Sequence, residues 1–230
     1  MFNKMNNNLY NDILAKLHIK FDDDKFVFTK NNLPLLENKN IDTKEIIITK
    51  MWHHFNDSYR VEMLDISCSK KQYQILGLLM LDYLFNRKDI LISPTNDAST
   101  IKKIRIGNKT ENDKKKFGLI QENISYNYWP SEISHRYPFQ DLKTFPNFNL
   151  INNEDKSMIT EADWASRDCL QISGDDETLA KVAELFLNIG HNDNTLDEVV
   201  LESPVGYGGV SHGSVEVRFW LPGSIGYNEY

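Results

Sequence analysis

Hydrophobic and polar positions alternate most regularly over residues 198–224, which read EVVLESPVGYGGVSHGSVEVRFWLPGS. An apolar run (Val199, Val200, Leu201) enters a loop holding Gly206, Gly208, Gly209 and Gly213. Val215, Val217, Phe219 and Leu221 then fall on one side of an extended chain, with Glu216, Arg218 and Trp220 on the other. A period of two bounded by turn residues predicts an antiparallel hairpin buried on one face. Upstream, residues 168–173 (DCLQIS) read as a strand, and Gly174-Asp175-Asp176 turns it into a helix. Asp175 or Asp176 supplies the N-cap, and Leu179, Val182, Ala183, Phe186 and Leu187 form the apolar face. Asn188 and Gly190 stop the helix, giving a β-α-β-β order.

The first part of the chain reads as a β-meander. A helical segment (Leu9, Ile13, Leu14, Leu17) precedes a strand over residues 25–29. Candidate strands follow at residues 45–49, 59–67, 89–93 and 101–106. Residues 75–81 are continuously apolar, which does not settle helix against strand; Gly77 and the alternation of Tyr73, Ile75, Leu79 and Leu81 favour strand. Ser69-Lys70-Lys71 then reads as a hairpin turn. Residues 107–160 are rich in Asn, Lys, Pro and aromatics, Tyr128 and Trp129 among them, too aromatic for a free linker. No alternating βαβα series runs along the chain, so the expected class is α+β with mostly antiparallel sheet. The expected organisation is a β-rich half over residues 1–110, a connection over 111–160 and the β-α-β-β half over 161–230, which could form one compact domain.

Composition narrows the function classes. The 230 residues are 40% hydrophobic and 26% charged, ordinary for a globular protein. Seven consecutive apolar-rich positions, residues 75–81, fall far short of the roughly 20 that a membrane-spanning helix needs. No basic segment followed by an apolar one opens the chain, so a cytoplasmic setting is expected. A net charge of −7 argues against a nucleic-acid binder and suits a basic protein partner. The basic cluster Lys114-Lys115-Lys116, with Lys102, Lys103, Arg105 and Lys109 upstream, is interrupted by Glu111 and Asp113 and reads as a solvated face. Cys68 and Cys169 have no metal-ligand spacing, and Cys169 reads as a buried small residue.

Gly209-Val210-Ser211-His212-Gly213 is a literal G-x-S-x-G. A nucleophile elbow places its serine between a strand and a helix with the base histidine later in the chain. Here an alternating strand follows, and no histidine lies beyond His212. A hydrolase using Ser211 and His212 is the alternative reading. The loop also lacks the Lys-Ser/Thr ending of a phosphate-binding loop. Asp22-Asp23-Asp24 is followed by no calcium-loop pattern, and the adjacent His53 and His54 would point to opposite faces of a strand. No cofactor or metal is expected. Glu198, Glu202, Glu216 and Arg218 form a charged cluster, with Glu202 the expected cross-strand partner of Arg218.

The segments RDCLQISGDDETLAKVAELFLNIG and LESPVGYGGVSHGSVEVRFWLPGS, with the upstream meander, resemble small bacterial proteins encoded beside polymorphic toxins and assigned as immunity proteins. The resemblance covers mainly residues 167–224. It implies a non-enzymatic role, binding a cognate toxin and blocking it, and it carries no catalytic motif. The residues expected to contact such a partner are Tyr207, His212, Glu216, Arg218 and Trp220 on the hairpin, with Tyr128 and Trp129 in the connection.

Overall fold

The computed structural model describes residues 25–29, 43–55, 58–107, 123–127, 144–151, 167–190, 198–201, 210 and 214–222. The strands are β1 (Lys25–Thr29), β2 (Ile47–Phe55), β3 (Ser58–Ser67), β4 (Ile90–Ile92), β5 (Lys103–Ile106), β6 (Asn123–Asn127), β7 (Asn147–Ile151), β8 (Cys169–Ser173), β9 (Glu198–Leu201) and β10 (Glu216–Trp220). Helix α1 (Lys70–Asn86) follows β3, and helix α2 (Asp176–Ile189) follows β8. A first sheet has the order β2-β3-β10-β9 and a second the order β4-β5-β8-β7, while β1 and β6 form a separate antiparallel ribbon. In each four-stranded sheet two antiparallel pairs meet through one parallel pair, β3 with β10 and β5 with β8. The class is α+β, and the pairing is mostly antiparallel.

The expected meander gives way to a helix. Residues 70–86 are helical, and Ser69 is not part of a hairpin turn but the N-cap, its hydroxyl accepting from the Gln72 amide. Twelve of the seventeen residues of α1 are buried, Leu76 to Leu81 without a break, so no polar stripe reveals the helical period. Residues 123–127 and 147–151, expected to lie in an irregular connection, are strands β6 and β7. The C-terminal unit is as expected: Asp175 caps α2 by accepting from the Thr178 amide at 2.8 Å, and Gly190 ends it. The glycine loop and the helical segment expected near Leu9 lie outside the described residues.

The two sheets repeat one another. Leu64, Ile66, Ser67 and the cap Ser69 recur, at one constant offset, as Leu170, Ile172, Ser173 and the cap Asp175. The strand β10 meets β3 with Val217 opposite Leu64 and Arg218 opposite Asp65; β5 meets β8 with Ile104 opposite Leu170 and Arg105 opposite Gln171. The outer pairs agree too, Ile48 standing opposite Ile66 and Phe148 opposite Ile172. Even a side-chain bond recurs: the Ile48 amide donates to Ser99 Oγ, and the Phe148 amide to Ser214 Oγ, each at 3.2 Å. The chain therefore holds two ββαββ units, β2-β3-α1-β4-β5 and β7-β8-α2-β9-β10, related by a two-fold repeat of topology. Each unit gives its first hairpin to one sheet and its second to the other. Neither sheet belongs to one half of the sequence.

The helices pair antiparallel between the repeats. Gly77 lies against Ala183 and Leu187, and Gly190 against Lys70 and Gln74. At the other end Arg87, the C-cap of α1 in a left-handed conformation (φ 56°), forms a two-bond ion pair with Asp176 at the start of α2. Phe219 of β10 joins the layers, its ring centroid 5.2 Å from Phe186 of α2, 6.2 Å from Tyr73 of α1 and 6.2 Å from Phe148 of β7. The buried Tyr73 hydroxyl lies 2.7 Å from the Ile66 carbonyl oxygen and 3.0 Å from that of Trp220, one on each strand of the parallel pair. Helix approach is set by glycine: a Cβ at residue 190 would sit 2.6 Å from the Lys70 carbonyl oxygen and 2.9 Å from the Gln74 amide nitrogen, both backbone atoms. Gly190→Ala is expected to cost about 1–3 kcal/mol, the range for overpacking. Urea denaturation checks it, and an unchanged midpoint would contradict this packing.

Candidate functional site

The outer face of the first sheet gathers the polar side chains that the sequence singles out. Alternation points Leu64, Ile66, Val217 and Phe219 into the core, all buried, and turns Asp65, Glu216, Arg218 and Trp220 to the opposite face. Arg218 Nε donates to Asp65 Oδ1 at 2.6 Å and Nη2 to Asp65 Oδ2 at 3.0 Å, a fork on one carboxylate. Trp220 Nε1 donates to Asp65 Oδ1 at 3.2 Å, and the guanidinium carbon lies 4.4 Å from the Trp220 ring centroid. Nη2 also reaches Met51 Sδ at 3.0 Å, and Nη1 is 4.0 Å from Glu198 Oε1. One arginine thus ties together β2, β3, β10 and β9. The expected partner Glu202 lies outside the described residues; the fork goes instead to Asp65, brought alongside by parallel pairing.

Of the seven side chains expected to contact a partner, Glu216, Arg218 and Trp220 are described; Tyr128, Trp129, Tyr207 and His212 are not. Trp220 is 7% exposed and Arg218 is mostly buried, so both are bound into the sheet. Glu216 is half-buried beside Met63 on β3, and Met51 follows on β2, both of them half-buried as well. Sequence reasoning missed Asp65, Met51 and Met63. Their signal was the outward parity of β3 and β2, but the parallel register that places them beside Arg218 is not written locally.

Other groups with reactive potential have structural occupations. Burial pushes the Cys68 thiol up, the hydrogen bond to Tyr73 opposing, and burial raises Cys169 as well, so both are poor thiolate sources. Burial would raise the Asp175 carboxyl, but bonds from Thr144 and Thr178 outweigh it and hold the group below its ordinary value. The G-x-S-x-G segment lies between β9 and β10, two antiparallel strands, which is not the strand-to-helix turn of a nucleophile elbow; its Ser211 and His212 lie outside the described residues. Among the described residues no three of His, Cys, Asp and Glu converge to hold a metal, and no helix is long and apolar enough to cross a membrane. Comparison of the chain with protein-family models, curated proteins and solved structures finds no match.

Glu198 gives the face a pH dependence. Partial burial raises its carboxyl above the ordinary glutamate value, Arg218 opposing and Asp65 adding to the rise. A group whose folded pKa lies above its unfolded one contributes stability that is full below the unfolded value and is lost as pH rises through the folded one. Glu198→Gln is therefore expected to raise stability at neutral pH and to leave it unchanged below about pH 4, where the native side chain is protonated in both states. Urea midpoints across that range check the sign. A less stable Gln variant at neutral pH would mean that attraction to Arg218 outweighs burial.

Proposed function

We propose that this chain is a non-enzymatic binding protein of the bacterial cytoplasm that neutralises a cognate toxin by surface complementarity. The observation that carries the reading is the outer face of the first sheet, where Asp65 and Glu198 approach a single guanidinium and Glu216 stands two positions before it on the same strand. That face is acidic in a protein of net charge −7, so it suits a basic partner, steering its approach and fixing its orientation. Met51 and Met63 add polarizable, adaptable apolar contacts beside Glu216. The fork between Arg218 and Asp65 holds the face rigid before binding, which lowers the ordering cost of association. The resemblance of residues 167–224 to toxin-immunity proteins points the same way.

Co-expression with a toxin domain encoded by an adjacent gene tests the reading, and the absence of any such gene would count against it. Cells should survive with the native chain and with Ser211→Ala or His212→Ala. Survival and co-purification of the toxin should fall with the charge reversal Glu216→Lys combined with Met63→Lys, while circular dichroism stays native. Protection that disappears with Ser211→Ala and survives the Glu216/Met63 pair would overturn the binding reading in favour of the hydrolase.

A further inference from the structure

The order of each sheet gives two outer strands a neighbour on one side only: β2 and β9 in the first, β4 and β7 in the second. The other side of such a strand offers its backbone N–H and C=O groups to any strand that comes alongside. β4 and β9 have three and four residues, too short to make much of a template. β2, with nine residues, and β7, with five, are longer, and each is closed along its outer side. In β2 the Ile48 amide donates to Ser99 Oγ at 3.2 Å, and the Ile48 carbonyl accepts from the Thr100 amide at 2.8 Å. Two residues on, the Lys50 amide donates to Thr100 Oγ1 at 3.1 Å, and a bulge between Met51 and Trp52 then interrupts the register. In β7 the Phe148 amide donates to Ser214 Oγ at 3.2 Å, and the Phe148 carbonyl accepts from the Val215 amide at 2.9 Å. Two residues on, the Leu150 carbonyl accepts from Arg167 Nη1 at 3.1 Å.

We infer that Ser99 with Thr100, and Ser214 in the second repeat, are guards that keep β2 and β7 from pairing with a strand of a second copy of this chain. Ser99 and Thr100 lead into β5 of the second sheet, and Ser214 leads into β10 of the first. Each long outer strand is therefore closed by the approach to an inner strand of the other sheet. Ser99 precedes β5 by more positions than Ser214 precedes β10, yet both hydroxyls reach equivalent amides, so the bond does not follow merely from the register of the repeat. A hydroxyl satisfies a strand amide without offering the next backbone group of a ladder, so pairing stops there. Ser99 is 2% exposed and is fixed further by donating to the Ile101 carbonyl at 2.6 Å. Lys102 Nζ donates to the Ser99 carbonyl at 2.7 Å and Asn96 Nδ2 to the Lys44 carbonyl at 2.8 Å, which hold this segment along β2. The inference does not rest on the toxin-binding reading.

Light scattering and sedimentation velocity of the full chain, each variant held equally far below its own urea midpoint, test it. Ser99→Ala with Thr100→Val removes both hydroxyls from β2 and should speed self-association about tenfold over the native chain, the factor that one lost hydrogen bond gives to opening of the edge. Gly190→Ala, which disturbs the helix packing and leaves the guards intact, should give no such rise. Adding Lys50→Pro to the Ser99/Thr100 pair should return association to the native rate while lowering stability further, because proline takes from β2 an amide that an incoming strand needs. Ser214→Ala should speed association through β7 in the same way, and it decides the matter if the β2 variant does not fold. No rise in either variant, an equal rise with Gly190→Ala, or a rise that Lys50→Pro leaves in place would overturn the inference.

Discussion

Parallel strands cannot be joined by a tight turn; they need a crossover, and the chain between them has to be spent elsewhere. Here both parallel pairs, β3 with β10 and β5 with β8, join strands from different ββαββ units. That one constraint interleaves the halves. The first sheet is complete only when β9 and β10 have arrived, and the second only when β7 and β8 pair with β4 and β5. The antiparallel helices lie where the units cross, and Phe219 carries the dependence into the core by touching residues of both helices and of the other sheet. Buried phenylalanines of this kind are worth about 3–5 kcal/mol each when truncated to alanine. The core is therefore shared, and most of its contacts are distant in sequence.

The same pairing builds the electrostatics of the surface. Arg218 meets Asp65 only because β10 runs beside β3, and the resulting fork, with Trp220 stacked on it, fixes the outward side chains of four strands. The repeat places Arg105 at the same register but puts Gln171 where the carboxylate stood. A duplicated frame thus carries an arginine–carboxylate fork across one parallel pair and an arginine opposite a buried amide across the other.

How much of this was legible in the sequence follows from which faces are wet. The strands β8 and β10 and the helix α2 were readable because caps, turns or alternating polar positions mark them: Asp175 before the helix, Glu216 and Arg218 between Val217 and its neighbours. The helix α1 was not, because Leu76 through Leu81 is buried on every side and Gly77 serves helix packing. The strand β7, NFNLI, alternates Phe148 and Leu150 against asparagines, a signal hidden by the proline- and asparagine-rich sequence around it. The repeat itself was visible as Leu-x-Ile-Ser followed by a cap at residues 64–69 and 170–175, a match short enough to pass unnoticed without the shared register. The pairing of Arg218 with Asp65 has no local signature, since parallel partners far apart in sequence leave none. Of the outward side chains, sequence pattern gave the parity of Glu216, Arg218 and Trp220 but not which of them the fold would use up internally.

Native-state hydrogen exchange of the full chain tests the interleaving most directly. If both sheets need both units, the slowest amides of β3, β5, β8 and β10 and of the two helices should exchange through a single opening with a common free energy and a common dependence on denaturant. Protection that persists in α1 with β2–β5 after α2 with β7–β10 has opened, or the reverse, would show that one unit stands alone and would contradict the account.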